Sequence, residues 1–267
     1  MKKIREETFG GAILRLVETR DGLAGVVIKD DAMSTPIRGD DPEVIWAALE
    51  QQLDRSGRNY IGIDGAIARF LRVFEKGFQD ADYLAKERGY KVTASEFLQR
   101  ELPIETALAA DATACAIAAR AFGKTNLLSL FEQSRVREVL KGPDGGAFVR
   151  AAARMAQGDT TALDAMDDVL KPRGAATWPV LTYLPFLWAA DQHMFLKPTV
   201  TVEFAERIGH RFQRDYGDED RSAVYASLLD LKAATAKALD ELAPADGIDL
   251  QSFVWVVGAY DEPVGVG

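Results

Sequence analysis

The sequence predicts a mainly α fold (α+β), in which a helical domain follows a small N-terminal β-hairpin element. Three observations carry this. Two apolar runs rich in β-branched residues, AILRLVE and LAGVVIKD, are joined by TRDG, and Asp21-Gly22 is a strong hairpin signal. From Asp40 onward, apolar residues recur at helical spacing between acidic or Ser/Thr/Asn caps and glycine stops. No internal repeat, low-complexity tract or long Pro/Gly/Ser linker interrupts that pattern.

Taken in order, a third short strand is expected around STPIRG. DDPEVIWAALEQQLDRSG then has an acidic cap, Pro42 in the first turn and Gly57 as a stop. GAIARFLRVFEKG repeats the plan, with Asp64 as its cap. Further helices are predicted at 80–88, 92–101, 104–121, 126–141, 145–156, 160–170, 175–189, 201–212 and about 218–242. The closing run IDLQSFVWVVGAY is apolar on every side, so periodicity leaves helix and strand open. A loop near 57–62 divides residues 1–60, a hairpin-plus-helix lobe, from a helical domain at 61–267, the two forming one compact unit.

Composition bounds the function. At 267 residues, with 48% apolar and 27% charged residues, the chain has ample material for a core. No apolar run is long enough to span a bilayer, and MKKIREETFGG lacks the apolar stretch of a signal peptide. The single cysteine, Cys115, fits a reducing cytoplasm and a buried helical position. A net charge of −9 counts against a protein whose main task is to hold nucleic acid, and the charge counts supply no electrostatic argument for DNA. The charge is uneven, however: residues 215–250 carry nine acidic and three basic side chains, whereas 120–173 carry nine basic and seven acidic. Two histidines 17 residues apart, with neither HExxH nor a cysteine cluster, predict no metal site, and no cofactor is expected.

The segment FGKTNLLSLFEQ contains Gly-Lys-Thr, the last three residues of a phosphate-binding P-loop motif. A working loop needs a glycine five residues before Gly123 and a preceding strand; this chain has Ala118 and an alanine-rich helix. The segment reads instead as a helix junction. Gly123 closes one helix, Thr125 or Asn126 caps the next, and Leu127, Leu130 and Phe131 form its apolar face. An exposed Asn at a helix start can also reach a phosphate or a base edge. A second notable stretch, TWPVLTYLPFLWAADQHMFLKPTVTVEFAERIGH, begins as a core-like aromatic helix that Pro185 should kink. It continues through a polar turn holding Asp191, His193 and Lys197, and ends in a helix that stops at Gly209.

Two resemblances follow from these residues. DGAIARFLRVF, TNLLSLFE, DQHMFLKPTVT and IDLQSFVWVV resemble a widespread bacterial family of uncharacterised soluble proteins, which implies no activity. The order of elements from 124 to 210 resembles the helix-hairpin-helix DNA glycosylase superfamily. An Asn-bearing helix start (KTNLLSLFEQSRVREVL) precedes a hairpin and an apolar helix (TTALDAMDDVLKPRGAATWPVLTYLPFLW), then a turn and a final helix with Val200 and Gly209 in matching places. The chain departs from that pattern twice. KPRGAA offers one glycine where the hairpin should read Gly-x-Gly, and Lys197 stands where the catalytic aspartate belongs.

The resemblance implies an enzyme that excises a damaged or modified base from DNA, a hydrolase of DNA repair or of anti-phage defence. Lys197 and Asp191 are then the expected catalytic residues, Lys197 as an amine nucleophile or Asp191 as the carboxylate. Trp178 and Tyr183 are the expected stacking residues for a flipped nucleotide; Thr125, Asn126, Lys171 and Arg173 are the expected phosphate or strand contacts. The alternative is a non-catalytic helical binding module whose acidic C-terminal region engages a protein partner.

Overall fold

The computed structural model describes residues 1–9 and 11–260. Three eight-residue strands open the chain: β1 (Lys2–Phe9), β2 (Ala12–Thr19) and β3 (Gly22–Lys29). They pair antiparallel in the order β1-β2-β3, and two short strands, β4 (Ala32–Met33) and β5 (Ile37–Gly39), pair with β3. The hairpin turn lies between Thr19 and Gly22, and Gly22 takes a positive φ of 109°. Helix α1 (Pro42–Asp54) starts at Asp41, whose carboxylate accepts from Glu43 N and Val44 N. Its Ile45, Trp46 and Leu49 bury against Leu14, Leu16 and Val27 of the sheet, each full burial contributing about 1.5–3 kcal/mol. A Cβ on Gly25 would meet Leu49 and Ile45 at 2.6–2.7 Å, so the missing side chain there lets α1 approach the sheet.

The remaining residues form helices around a second, larger core. These are α2 (Gly62–Val73), α3 (Ala81–Tyr83), α4 (Gly89–Glu101), α5 (Ile104–Ala107), α6 (Ala112–Ala121), α7 (Leu130–Lys141), α8 (Gly145–Ala156), α9 (Ala162–Leu170), α10 (Trp178–Trp188), α11 (Pro198–Ile208), α12 (Phe212–Asp215), α13 (Arg221–Ala238) and α14 (Gly247–Ala259). The two cores meet at polar contacts. Arg214 donates to both Asp54 oxygens at 2.7 and 3.2 Å, and Ile61 N donates to the Arg207 carbonyl at 2.8 Å. No helix among the described residues is long and apolar enough to cross a membrane.

The mainly α fold with a small N-terminal sheet is as the sequence predicts, with differences that have physical causes. β1 is a strand despite its charged sequence, because an edge strand needs little apolar surface and its charges pair along the edge. The run expected as one helix at 104–121 divides into α5 and α6, because Asp111 turns out of the helix and caps Ala114 N. Asp64 lies in the first turn of α2 and is not its cap. The apolar C-terminal run is helix α14, buried around most of its circumference.

Residues 81–101 form one continuous helical segment, with a π turn at Leu84–Arg88 joining α3 to α4. That wider turn sets Arg88 against the start of α14 and Glu87 against Tyr260 at its end. Arg88 donates to both Asp246 oxygens (2.8 and 2.6 Å) and to Asp249 (2.6 Å); Tyr83 OH also donates to Asp249. Beside them Lys91 donates to Glu87 at 3.2 Å and to Ser252 at 2.8 Å, and Tyr260 OH donates to Glu87 at 2.6 Å.

Burial pushes the Lys91 ammonium down to about 8, against the pull of Glu87. Burial likewise lowers Lys232 to about 8, opposed by Asp191. A lysine whose folded value lies below its unfolded value of about 10.4 binds more protons unfolded than folded between those limits, so stability rises with pH there. The buried tyrosines act oppositely above their ordinary value of about 10, because they stay protonated only when folded. Stability is therefore expected to climb from about pH 8 to pH 10 and to fall beyond it. Urea titrations across that range check this, and a flat or falling profile between pH 8 and 10 would contradict it.

Candidate functional site

The start of α7 organises the site. Ser129, and neither Thr125 nor Asn126, is its cap: the Ser129 hydroxyl accepts from Glu132 N at 3.2 Å, while the Glu132 carboxylate accepts from Ser129 N at 2.9 Å. Gln133, Val136, Val139 and Leu140 face the core, whereas Leu130 and Phe131 point outward at 85% and 63% exposure. The expected apolar face of Leu127, Leu130 and Phe131 therefore splits, with only Leu127 buried.

Thr125 has a different task. Its buried hydroxyl accepts from Leu127 N at 3.3 Å and lies 3.0 Å from Tyr183 OH, which donates to the Ala121 carbonyl at 2.8 Å. The Tyr183 ring is wholly buried and stacks on Phe122 at 4.8 Å. Tyr183 and Thr125 are thus core groups that hold the 122–129 segment together, and neither lies at the surface where a stacking or strand contact was expected. Asn126 is exposed on that segment.

The second component is the turn between α9 and α10. A 3-10 turn at Lys171–Arg173 runs into Gly174, whose φ of +59° is costly for any residue with a Cβ. Lys171 and Arg173 are exposed on this turn. Arg135 of α7 donates to the Gly174 carbonyl at 2.7 Å and lies 3.9 Å over the Phe131 ring. Cationic turn and outward apolar pair are therefore one contiguous surface. Trp178, at the start of α10, is half-buried beneath Arg221, 5.2 Å above its ring. Arg221 is itself held by Asp167 at 2.9 Å and by the Ala176 carbonyl at 3.2 Å. The Trp178 face expected to stack on a base is already covered by a cation.

The third component is Lys197, at the N-terminus of α11. Its ammonium pairs with Glu132 at 3.5 Å, and Thr177 donates to the other Glu132 oxygen at 3.1 Å. Burial alone would raise the Glu132 carboxyl. The bonds from Ser129, the charge of Lys197 and the Thr177 hydroxyl outweigh it and hold the group below its ordinary value. The pair is half-open, with side-chain exposures of 30% for Lys197 and 13% for Glu132.

Asp191 is not part of this cluster. Its carboxylate accepts from Gly247 N at 3.0 Å, and Lys232 donates to the Ala190 and Asp191 carbonyls at 2.7 and 2.5 Å. Asp191 anchors the 189–197 loop to the start of α14, while Lys197 at the far end of that loop reaches α7. The carboxylate beside Lys197 is Glu132.

The carbonyls freed where α10 ends are satisfied from α4. Ser95 and Gln99 donate to the Leu187 carbonyl, at 2.6 and 3.4 Å, and Gln99 to that of Trp188 at 3.0 Å. A firmly held α10 in turn fixes Thr177 and the loop bearing Lys197.

Of the residues singled out in the sequence, Lys171, Arg173 and Asn126 are exposed and Lys197 lies beside Glu132; Glu132, Arg135 and the outward facing of Leu130 and Phe131 were not anticipated. A signal for the missed residues exists: Ser129-x-x-Glu132 is a capping box, and it selects Ser129 over the two earlier caps. Cavities of about 740, 660 and 400 Å³ lie elsewhere: between α2, α11 and α14, between α6 and α8, and between the sheet lobe and α12. No group of three or more His, Cys, Asp or Glu that could hold a metal ion occurs among the described residues. Comparison with protein-family models, with curated proteins and with solved structures finds no match.

Proposed function

We propose that this chain is a DNA-engaging, base-excising enzyme that works from the surface formed by the α7 start, the Lys171–Gly174 turn and the α11 start. The observation that carries the reading is the union of an outward Leu130–Phe131 pair with a cationic turn, tied together by Arg135. Apolar side chains of this kind insert between base steps and hold the gap when a nucleotide leaves the stack. Lys171 and Arg173 supply the phosphate contacts that fix the register of a duplex on such a wedge. Lys197 completes the surface as a cation facing Glu132, an arrangement suited to electrostatic work rather than to nucleophilic attack.

The test uses labelled duplexes carrying a panel of damaged and naturally modified bases, with alkali after incubation to cleave abasic sites. Strand cleavage is expected on at least one substrate. The Leu130→Ser/Phe131→Ser double variant should cut it by about 10- to 100-fold, the factor for losing a few kcal/mol of support for the flipped state. Both positions are solvent-facing, so the fold should tolerate the change. An exposed apolar pair also suits a second reading, a non-catalytic module docking a protein. No cleavage on any duplex, together with no DNA retention at low salt, favours that module and ends the excision reading.

A further inference from the structure

We propose that the cavity of about 740 Å³ between α2, α11 and α14 is a binding site for a small phosphate ester, separate from the surface assigned to DNA.

Three guanidinium groups converge on this cavity. Arg69 comes from α2, Arg207 from α11, and Arg58 from the segment that leads into α2. Glu203 is the only carboxylate among the described residues of the wall. In a chain of net charge −9, three cations against one anion around one cavity make a local positive field. The volume falls within the roughly 300–1,000 Å³ of small-molecule sites.

The arginines differ in what they have to spare. Arg58 is exposed and makes no ion pair or side-chain hydrogen bond among the described residues. Arg207 spends Nε and Nη2 on one Glu203 oxygen, at 3.1 and 2.9 Å, which leaves Nη1 for a further acceptor. Arg69 is 4% exposed and donates to the Tyr260 carbonyl at the cavity edge, so its charge is fixed in the wall. A guanidinium fork matches phosphate oxygens in pairs and gives up its hydration more cheaply than an ammonium.

The rest of the wall favours an ester that carries hydroxyl groups. Asn59 also donates to Glu203, at 3.4 Å, and all three of these bonds fall on Oε1. Glu203 Oε2 is left as an acceptor for a ligand hydroxyl, and the exposed Thr199 adds a hydroxyl of its own. A sugar phosphate has both parts: an anion for the arginines and hydroxyls for Glu203 and Thr199.

Isothermal titration calorimetry of the full chain with inorganic phosphate, ribose 5-phosphate and ribose tests this. Both phosphates should bind saturably at one site, the ester more tightly, and ribose should not bind. Arg58→Gln should weaken both by about 10- to 100-fold, the range of a charge-assisted contact. Its melting temperature should be unchanged, because Arg58 is exposed, and this separates lost binding from lost folding. Glu203→Gln should tighten inorganic phosphate by about 2- to 5-fold, by removing a like charge, and narrow the advantage of the ester. No saturable binding of either phosphate, or affinities that both variants leave unchanged, overturns the proposal. The sequence continues past Tyr260 with Asp261 and Glu262. Binding that appears only in Asp261→Asn/Glu262→Gln would assign the guanidinium groups to the chain's own carboxylates and overturn it too. So would loss of binding to a short DNA duplex in Arg58→Gln, which would assign them to nucleic acid.

Discussion

Asp249→Ala is expected to cost about 3–5 kcal/mol of folding stability, the range for removing one partner of a buried ion pair. The Asp249 side chain is 2% exposed and satisfies three donors: Arg88 at 2.6 Å, Ala245 N at 2.7 Å, and Tyr83 OH. Alanine leaves the Tyr83 hydroxyl buried without its acceptor and Arg88 with Asp246 alone. The change should appear as a lower urea midpoint with an unchanged slope. Asp249→Asn keeps an acceptor in place and should cost less. A loss below about 0.5 kcal/mol for the alanine variant, the size of an ordinary surface change, would contradict the account of this network.

Phe70→Ala should be of similar size, about 3–5 kcal/mol. Phe70 is wholly buried at the centre of an aromatic cluster, with ring centroids 5.0 Å from Phe78, 5.2 Å from Phe253, 5.6 Å from Phe74 and 5.8 Å from Tyr83. Its removal leaves a cavity that four rings on separate segments cannot close together. Tyr83 belongs to both sites: its ring packs on Phe70 and its hydroxyl serves Asp249. The two substitutions should therefore be non-additive, with a coupling of about 0.5 kcal/mol or more in a double-mutant cycle. Strict additivity would mean that Tyr83 does not link the aromatic cluster to the ionic one.

The helical architecture was legible in the sequence because caps, apolar spacing and glycine stops agree along most of the chain. Legibility failed where those signals compete or vanish. In KTNLLSLFE three residues can cap, and choosing either of the first two starts the helix about one turn too early and includes Leu127 in it. In α14 burial on nearly all sides erases the periodicity that separates helix from strand. The sequence pattern separates helices at 80–88 and 92–101, yet a π turn at Leu84–Arg88 carries one helical segment through both.

The site was harder to read for a different reason. Lys197 and Asp191 are close in sequence, and both are expected at the chemistry, with no sign in the local pattern of whether they meet. The fold instead spends Asp191 on α14 and brings Glu132, 65 residues before Lys197, to the lysine. Tyr183 looked like a stacking platform because aromatic residues in an apolar helix give no sign of which ring reaches solvent. Long-range pairing of this kind is a property of the packed helices, and local sequence pattern does not encode it.

The most direct test of the central proposal, that the α7 start and the Lys171–Gly174 turn form a DNA-binding face, is the salt dependence of binding to a short labelled duplex. Affinity of the wild-type chain should fall linearly in log–log form as salt rises from about 50 to 200 mM. Lys171→Glu/Arg173→Glu should weaken binding and lower the slope by about 2, one unit per lost phosphate contact. Wild-type binding with no salt dependence, or a slope that the double variant leaves unchanged, would contradict it.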